Sequence, residues 1–157
     1  NVTGAGLVSL FYNNNSGTTI DTSNWEIDSS ITSMAGFLRN SAATAIDFSD
    51  ANCDFSNVTT FSHFGYAASF TRFILHASSD FSSVTGAAFS NFFPTSGYAT
   101  VATSDYDALL LRLDAGGQSS VTLFVGSSTY TGGGAVATAR ANLITKSWTI
   151  TDGGIAP

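Results

Sequence analysis

Two histidines, His63 and His76, are the first residues to consider for chemistry, because a Ser-His-Asp hydrolase needs one of them. Serine and aspartate are so frequent here that their nearness to either histidine carries no information. The chain contains no Gly-x-Ser-x-Gly elbow, and its glycine clusters lack the Lys-Ser/Thr of a phosphate-binding loop. The sequence therefore predicts a protein that is not an enzyme.

A pair of aspartates, Asp54 and Asp80, lies 26 residues apart and could form a metal site. If the two positions stack at the spacing of neighbouring strands, about 5 Å, the carboxylates repel each other unless solvent or a cation separates them. The Asp-x-Asp-x-Asp loop of calcium proteins is absent. We expect no cofactor, with calcium at this pair as the one alternative.

The better candidate for function is a row of side chains on the outer face of predicted strands. Aspartate, arginine and histidine alternate there with isoleucine, tyrosine and phenylalanine, a mixture typical of recognition surfaces. The predicted binding residues are Asp21, Asp47, Arg72, Ile74, His76, Tyr98, Thr100 and Phe124. Two alternatives stay open: another domain or subunit covers this row, or the inward and outward phases are exchanged by a shift of one residue.

The strands that carry this row recur at a regular interval. Ile20-Asp21-Thr22 aligns with Ile46-Asp47-Phe48, and related triplets begin at residues 73, 99, 123 and 148, in steps of 26, 27, 26, 24 and 25. A period in the range of roughly 20–50 residues predicts a solenoid, in which each unit buries its apolar face on its neighbours. The expected inward rows are Ile20, Ile46, Phe73, Ala99, Leu123, Trp148 and Thr22, Phe48, Leu75, Val101, Val125, Ile150.

Each unit combines a strand with a second short element. The segment 45–49 alternates apolar and polar residues, which indicates a strand. Val58, Phe61 and Phe64 then recur every third residue, which predicts a short α-helical or 3₁₀ segment with one buried stripe. The fold class that follows is α/β: a short right-handed solenoid with a parallel sheet, one strand and one short helix or 3₁₀ turn per repeat of about 26 residues.

The C-terminal part keeps the strand period but contains two longer helices. Ser104 is the expected N-cap of the first, whose apolar residues run from Tyr106 to Leu113 at helical spacing until Gly116-Gly117 stops it. A second helix is expected over 135–145, and Trp148 should shield the end of the core. We therefore predict a single domain over 1–157, with short-helix repeats in 1–103 and C-terminal repeats with a cap in 104–157.

Composition excludes several classes of partner. Only 10% of residues are charged and the net charge is −6, which argues against a nucleic acid or an anionic membrane surface. No apolar run approaches the ~20 residues that cross a bilayer, so we expect no membrane insertion. The single cysteine, Cys53, is expected to be a small buried hydrophobe at the repeat position of Trp25. Abundant serine and threonine with one lysine favour an extracellular, cell-surface or virion-surface location.

The segments 45–49 and 55–61, and more weakly 81–85 and 27–32, resemble the leucine-rich repeats of BspA-type surface proteins. The tail from Tyr106 to Gly154 resembles the closing module that follows such repeats in bacterial surface proteins and in phage or viral structural proteins. This resemblance implies a leucine-rich-repeat fold and a role on a surface. It does not identify a ligand, and the phenylalanines that replace methionine depart from the family pattern.

Two functions remain in competition. The first is a non-enzymatic, surface-displayed domain that mediates attachment through its strand face, binding a protein or glycan on a host or neighbouring surface. The second is an architectural subunit of a virion or extracellular filament that docks on other subunits through its repeat ends. The second depends on Leu7, Leu10 and Phe11, which look like the helical half of a first unit without a strand and would leave an open N-terminal end.

Overall fold

The computed structural model describes residues 6–15, 17, 19–22, 25, 27, 29–93 and 100–157. In these residues the chain is mixed α/β, with short parallel strands and two helices, as expected. The elements are β1 (Thr19–Asp21), β2 (Ala45–Phe48), β3 (Arg72–Leu75), α1 (Thr103–Gly116), β4 (Thr122–Phe124), α2 (Gly134–Thr145) and β5 (Thr149–Thr151). The strand expected near Ala99 falls outside the described residues.

The first sheet has the order β1-β2-β3 and the register that the repeat predicts. Ile20 pairs with Ile46, and Ile46 with Phe73, while Phe48 pairs with Leu75. The first three are at most 7% exposed and Phe48 is fully buried. Ile20, Ile46, Phe73 and Phe48 therefore face the core as predicted, because a side-chain period of two sends alternate residues inward, whereas Leu75 is only half-buried.

The segments between these strands are not helical, which corrects the prediction for Val58, Phe61 and Phe64. They form consecutive turns, with Val58 N–H donating to the Phe55 carbonyl and Phe64 N–H to the Phe61 carbonyl. Alternate N–H groups leave the segment instead: those of Gly36 and Leu38 donate to the carbonyls of residues 62 and 64, at 2.9 and 2.7 Å. A helix cannot form because half of its donors are used between segments.

We call the resulting stack of turns the turn ladder; it comprises segments 6–13, 33–40, 60–67 and 86–93. Its backbone shape repeats, since the left-handed residues of one segment align with those of the next at intervals of 27 or 28. These are Ser9, Gly36, His63 and Asn91 in one series and Asn13, Asn40 and Ala67 in another. The turn-ladder segments therefore repeat every 27 or 28 residues, whereas the paired residues of β1, β2 and β3 repeat every 26 or 27.

The second sheet, β4-β5, is separate from the first, so a single sheet with one strand per repeat is wrong. β4 lies on the turn ladder: Thr122 N–H donates to the Gly86 carbonyl and Phe124 N–H to the Phe89 carbonyl, at 2.8 and 3.1 Å. The place beside β3 is taken by α1, whose Asp105 carboxylate accepts the Phe73 N–H at 2.8 Å. The inward row is also shifted at the end, because Leu123 pairs with Ile150 and not with Trp148.

The core lies between the first sheet and the turn ladder, and it is built from stacked phenylalanines. Rings of successive ladder segments stack directly, with centroids 5.3 Å apart for Phe37 and Phe64 and 5.3 Å for Phe61 and Phe89. Phe48 lies between the two sides, 5.2 Å from Phe55 and 6.1 Å from Phe73. Such ring pairs contribute beyond the apolar area they bury.

The helices match their predictions, except at the start of α1. Tyr106, Leu109, Leu110 and Leu113 are fully buried, and Gly117 ends α1 in the left-handed conformation at φ 80°. The N-cap is Ala102, so Ser104 lies inside the first turn and the expected capping box is wrong. Trp148 is 4% exposed and donates from Nε1 to the Gln118 carbonyl at 2.9 Å, consistent with its expected capping position.

Three ion pairs join the C-terminal elements. Arg72 of β3 binds Asp105 of α1, Arg140 of α2 binds Asp152, and Lys146 binds Asp114, with N–O distances of 2.7, 2.8 and 2.7 Å. The Tyr106 hydroxyl donates to Asp152 at 2.8 Å, and burial together with this carboxylate raises the pKa of Tyr106 above its ordinary value. These pairs fix the two helices against the strands.

Candidate binding surfaces

The strand face is the outward surface of β1–β3, and the structure places three predicted residues there in one row. Asp21 pairs with Asp47, and Asp47 with Ile74. Asp21 is exposed, whereas Asp47 and Ile74 are half-buried. The Asp47 carboxylate accepts the Ser49 N–H at 2.9 Å. The row thus offers two carboxylates and one partly covered isoleucine.

Two more predicted residues on this face are already engaged within the chain. Arg72 donates to both oxygens of Asp105, at 2.7 and 3.2 Å, and these hydrogen bonds and the charge of Asp105 raise the pKa of Arg72. The His76 Nδ1 lies 2.7 Å from the Ser78 hydroxyl and accepts the Ser78 N–H at 3.1 Å. Both therefore support local structure, whatever else they contact.

The other predicted strand-face residues do not join this row. Phe124 is half-buried in β4, in the separate β4-β5 sheet on the turn-ladder side. Thr100 is exposed just before α1, outside any strand, and Tyr98 lies outside the described residues. The period alone could not separate the two sides, because strands on both recur at nearly the same interval.

The open end is the first turn-ladder segment, residues 6–13, and only one of its three predicted docking residues is exposed. Leu7 is 5% exposed, and Phe11 packs 5.2 Å from Phe37, so both belong to the core. Leu10 is 50% exposed, although its counterpart Phe37 in the next segment is fully buried. Sequence reasoning missed two exposed neighbours, Val8 and Tyr12, at 58% and 46%. In the sequence, Val8 and Tyr12 each follow a residue that packs in the core, Leu7 or Phe11. This order is the signal that could have identified them as exposed.

The backbone of the open end also lacks partners on one side. Leu7, Ser9, Phe11 and Asn13 each donate an N–H to the carbonyls of segment 33–40. In segment 33–40 the carbonyls of Ser33, Ala35, Phe37 and Arg39 receive those bonds. The equivalent carbonyls of the first segment belong to Gly6, Val8, Leu10 and Tyr12, and among the described residues no backbone N–H donates to them.

A further arrangement on the outer side of the turn ladder was not foreseen. Tyr12, Arg39 and Tyr66 occupy equivalent positions of three successive segments, and we call them the Arg39 row. The Arg39 guanidinium lies 5.8 Å from the Tyr12 ring centroid and 5.5 Å from that of Tyr66. The three residues are 27 positions apart in the sequence, which could have shown that they are equivalent. They were not recognised because tyrosine and arginine are different residue types.

The candidate metal and thiol residues have local structural roles. The carboxylates of Asp54 and Asp80 each accept an N–H two residues further on, at 2.8 and 2.7 Å. The part of the chain that the structure describes contains no group of three or more His, Cys, Asp or Glu side chains placed to hold a metal ion. Cys53 is buried as expected, and burial raises the pKa of its thiol; it pairs with Ile27 and not with Trp25.

Comparison with known proteins gives no match: no protein-family model fits the chain, and no curated protein or solved structure is similar to it. Among the described residues, neither helix has the length and apolar character needed to cross a bilayer.

Proposed function

We propose that this chain is a non-enzymatic repeat domain, a short solenoid of the BspA-type leucine-rich-repeat kind, which acts as an architectural subunit and docks end to end on further copies of itself. A cell surface or a virion surface is its proposed location. The observation that carries the proposal is the open end, where exposed apolar side chains occur together with carbonyls that accept no backbone N–H from any described residue. In the interior segments the same carbonyls are bonded and Phe37 and Phe64, the counterparts of Leu10, are buried.

The opposite end of the molecule supplies the complementary surface. Among the described residues, the large apolar side chains that are most exposed lie only in the first segment and in the last unit. The last unit contributes Ile144 of α2 and Ile155, at 47% and 61% exposed. In β5 the Thr149 N–H donates to the Val121 carbonyl and the Thr151 carbonyl accepts the Val125 N–H, both at 3.0 Å. Because a parallel pair uses alternate residues, the backbone groups of Ile150 between them face away from β4. A second copy can therefore present the Ile150 N–H and the apolar side chains of Ile144 and Ile155 to the open end.

Sedimentation velocity at increasing protein concentration tests the proposal. The unmodified chain is expected to form oligomers, and Leu10→Asp and Ile155→Asp are each expected to remain monomeric, because a charge replaces an apolar contact at one end. Both residues are at least half exposed, so the melting temperature should change little. Ile74→Asp, on the strand face, is the matched control and should oligomerise normally.

A mixture of the two end variants makes the test specific. Leu10→Asp keeps the C-terminal end and Ile155→Asp keeps the open end, so a one-to-one mixture is expected to form dimers and nothing larger. An unmodified chain that stays monomeric at about millimolar concentration, or end variants that still oligomerise, would contradict end-to-end docking.

A second candidate function is recognition of a partner through the strand face, favoured by the aligned row Asp21, Asp47 and Ile74. Because Phe124 lies in the other sheet, the test needs Ile74 alone. Ile74→Asp should then abolish attachment to a host protein or glycan surface in a pull-down assay, while Leu10→Asp should bind normally. The reverse result would support end docking instead.

A further inference from the structure

The Arg39 row holds a cation that differs from the others in the chain. Arg72, Arg140 and Lys146 each form an ion pair, and Arg112 donates to the Ala77 carbonyl. The Arg39 guanidinium lies against the rings of Tyr12 and Tyr66, and no described carboxylate or carbonyl accepts its N–H groups. Cation–π contact on both sides limits the freedom of this guanidinium and leaves its donors available.

A small cavity of about 170 Å³ lies beside Arg39, and its wall carries no carboxylate. It is lined by Val8, Ser9, Ala35, Gly36, Arg39, Ser62 and His63. The polar groups of this wall are neutral hydroxyls and an imidazole. Gly36 leaves room in this wall, because a Cβ there would lie 3.1 Å from the Ser9 hydroxyl oxygen, and its φ of 65° also favours glycine.

Hydrogen bonds hold the far side of the cavity in place. The Ser62 hydroxyl lies 2.8 Å from His63 Nδ1 and 3.0 Å from the Ser90 hydroxyl. The Asn91 amide lies 3.3 Å from His63 Nε2, and the His63 and Tyr66 rings meet edge to face at 5.5 Å. The side chains around Arg39 are thus ordered by one another, as a binding site requires.

We propose that the Arg39 row and its cavity bind the carboxylate of an acidic sugar. A guanidinium with free, planar donors matches a carboxylate in two parallel hydrogen bonds. One fixed cation in a chain of net charge −6 favours a monoanion over a phosphate group, which carries about −1.5 to −2 at neutral pH. The hydroxyl-lined wall matches the hydroxyl groups of a sugar ring, and Tyr12 and Tyr66 supply aromatic edges. This site lies outside the strand face, but its Val8 and Tyr12 also belong to the open end. End-to-end docking would therefore cover part of it, so the test uses a chain in which docking is removed at the other end.

Isothermal titration calorimetry with D-glucuronate, D-glucose and inorganic phosphate tests the site. The Ile155→Asp chain keeps the open end intact and is expected to stay monomeric, so the titrations and the further substitutions are made in it. It is expected to bind glucuronate in the millimolar range, with neither glucose nor phosphate binding as well. Arg39→Gln should weaken glucuronate binding about tenfold or more, and Arg39→Lys should recover only part of it, since an ammonium cannot make the bidentate contact.

Arg112→Gln is the matched control, because it removes the same charge at a distant position, and its affinity should stay within about twofold. Arg39 is exposed, so unchanged melting of Arg39→Gln will show that the fold is intact. The proposal is overturned if glucuronate fails to bind, if Arg39→Gln binds it normally, if Arg112→Gln loses affinity equally, or if glucose or phosphate binds as well as glucuronate.

Discussion

Phe48 and Phe61 connect the sheet side of the core to the turn ladder, and each is at most 1% exposed. Replacing either by alanine leaves a cavity that stacked neighbours cannot fill, so we expect each variant to lose roughly 3–5 kcal/mol of unfolding free energy. Urea denaturation measures this. Val8→Ala, at a position 58% exposed, is the control and should lose less than about 1 kcal/mol. Melting shifts of only a degree or two for both phenylalanine variants would contradict the core assignment.

Asp105 is the residue through which α1 ends the first sheet. Asp105 is 6% exposed, and its carboxylate accepts hydrogen bonds from the Phe73 N–H and from the Arg72 side chain. Asp105→Ala leaves a buried N–H without a partner and should cost roughly 2–3 kcal/mol in denaturant unfolding. Arg72→Gln, which leaves the Phe73 bond in place, should cost clearly less. Equal losses for the two variants would mean that the ion pair, and not the backbone bond, carries the stabilisation.

At the scale of elements, the ion pair between Lys146 and Asp114 links the end of α2 to α1. Burial alone raises the pKa of Asp114, but hydrogen bonds from Lys146 and Asn142 and the Lys146 charge outweigh it, so the pKa lies below its ordinary value. A lowered folded-state pKa stabilises the fold above the unfolded pKa of about 3.9, and this contribution is lost as the pH falls through the folded pKa.

Lys146→Met tests this link. At about pH 7 the variant should be less stable by up to about 1 kcal/mol, and the difference should shrink as the pH falls through the lowered folded-state pKa of Asp114, because protonation removes the charge that pairs with Lys146. Thermal or urea unfolding across a series of acidic pH values measures it. A difference that is as large in acid as at neutral pH would assign the effect to packing of the lysine side chain.

The elements that were predictable are those with a strong local signal. Alternation identified Ile46 and Phe48 as core residues, and the spacing of Tyr106, Leu109, Leu110 and Leu113 identified α1. The turns around Phe61 were mistaken for helix because a spacing of three is common to both. The difference lies in where the backbone N–H groups bond, which side-chain patterns do not record. The Arg39 row was missed for a similar reason, since tyrosine and arginine share a position without sharing a type.

At the scale of the whole molecule, the unequal pairing of the ladder segments should appear in amide exchange. Gly36 and Leu38 belong to a segment that bonds to neighbours on both sides, whereas Leu7 and Ser9 belong to one that, among the described residues, bonds to a neighbouring segment on one side only. We expect exchange at Leu7 and Ser9 to be faster by about tenfold or more, because local opening there breaks fewer contacts. Hydrogen–deuterium exchange by NMR measures it in the Leu10→Asp chain. Equal protection would mean that the first segment opens only with the whole domain.

The one-way direction of the turn-ladder bonds has a consequence for symmetry. Each early segment donates toward the C-terminal side and accepts on the N-terminal side, so within residues 6–13 the open end presents the carbonyls of this ladder and not its N–H groups. Two such ends cannot pair with each other through their backbones, which excludes a two-fold dimer built on that edge. An assembly in which these carbonyls are bonded by another copy is therefore heterologous, each copy related to the next by the same translation and rotation. If that rotation does not close a ring, the product is a polar filament whose two tips are chemically different.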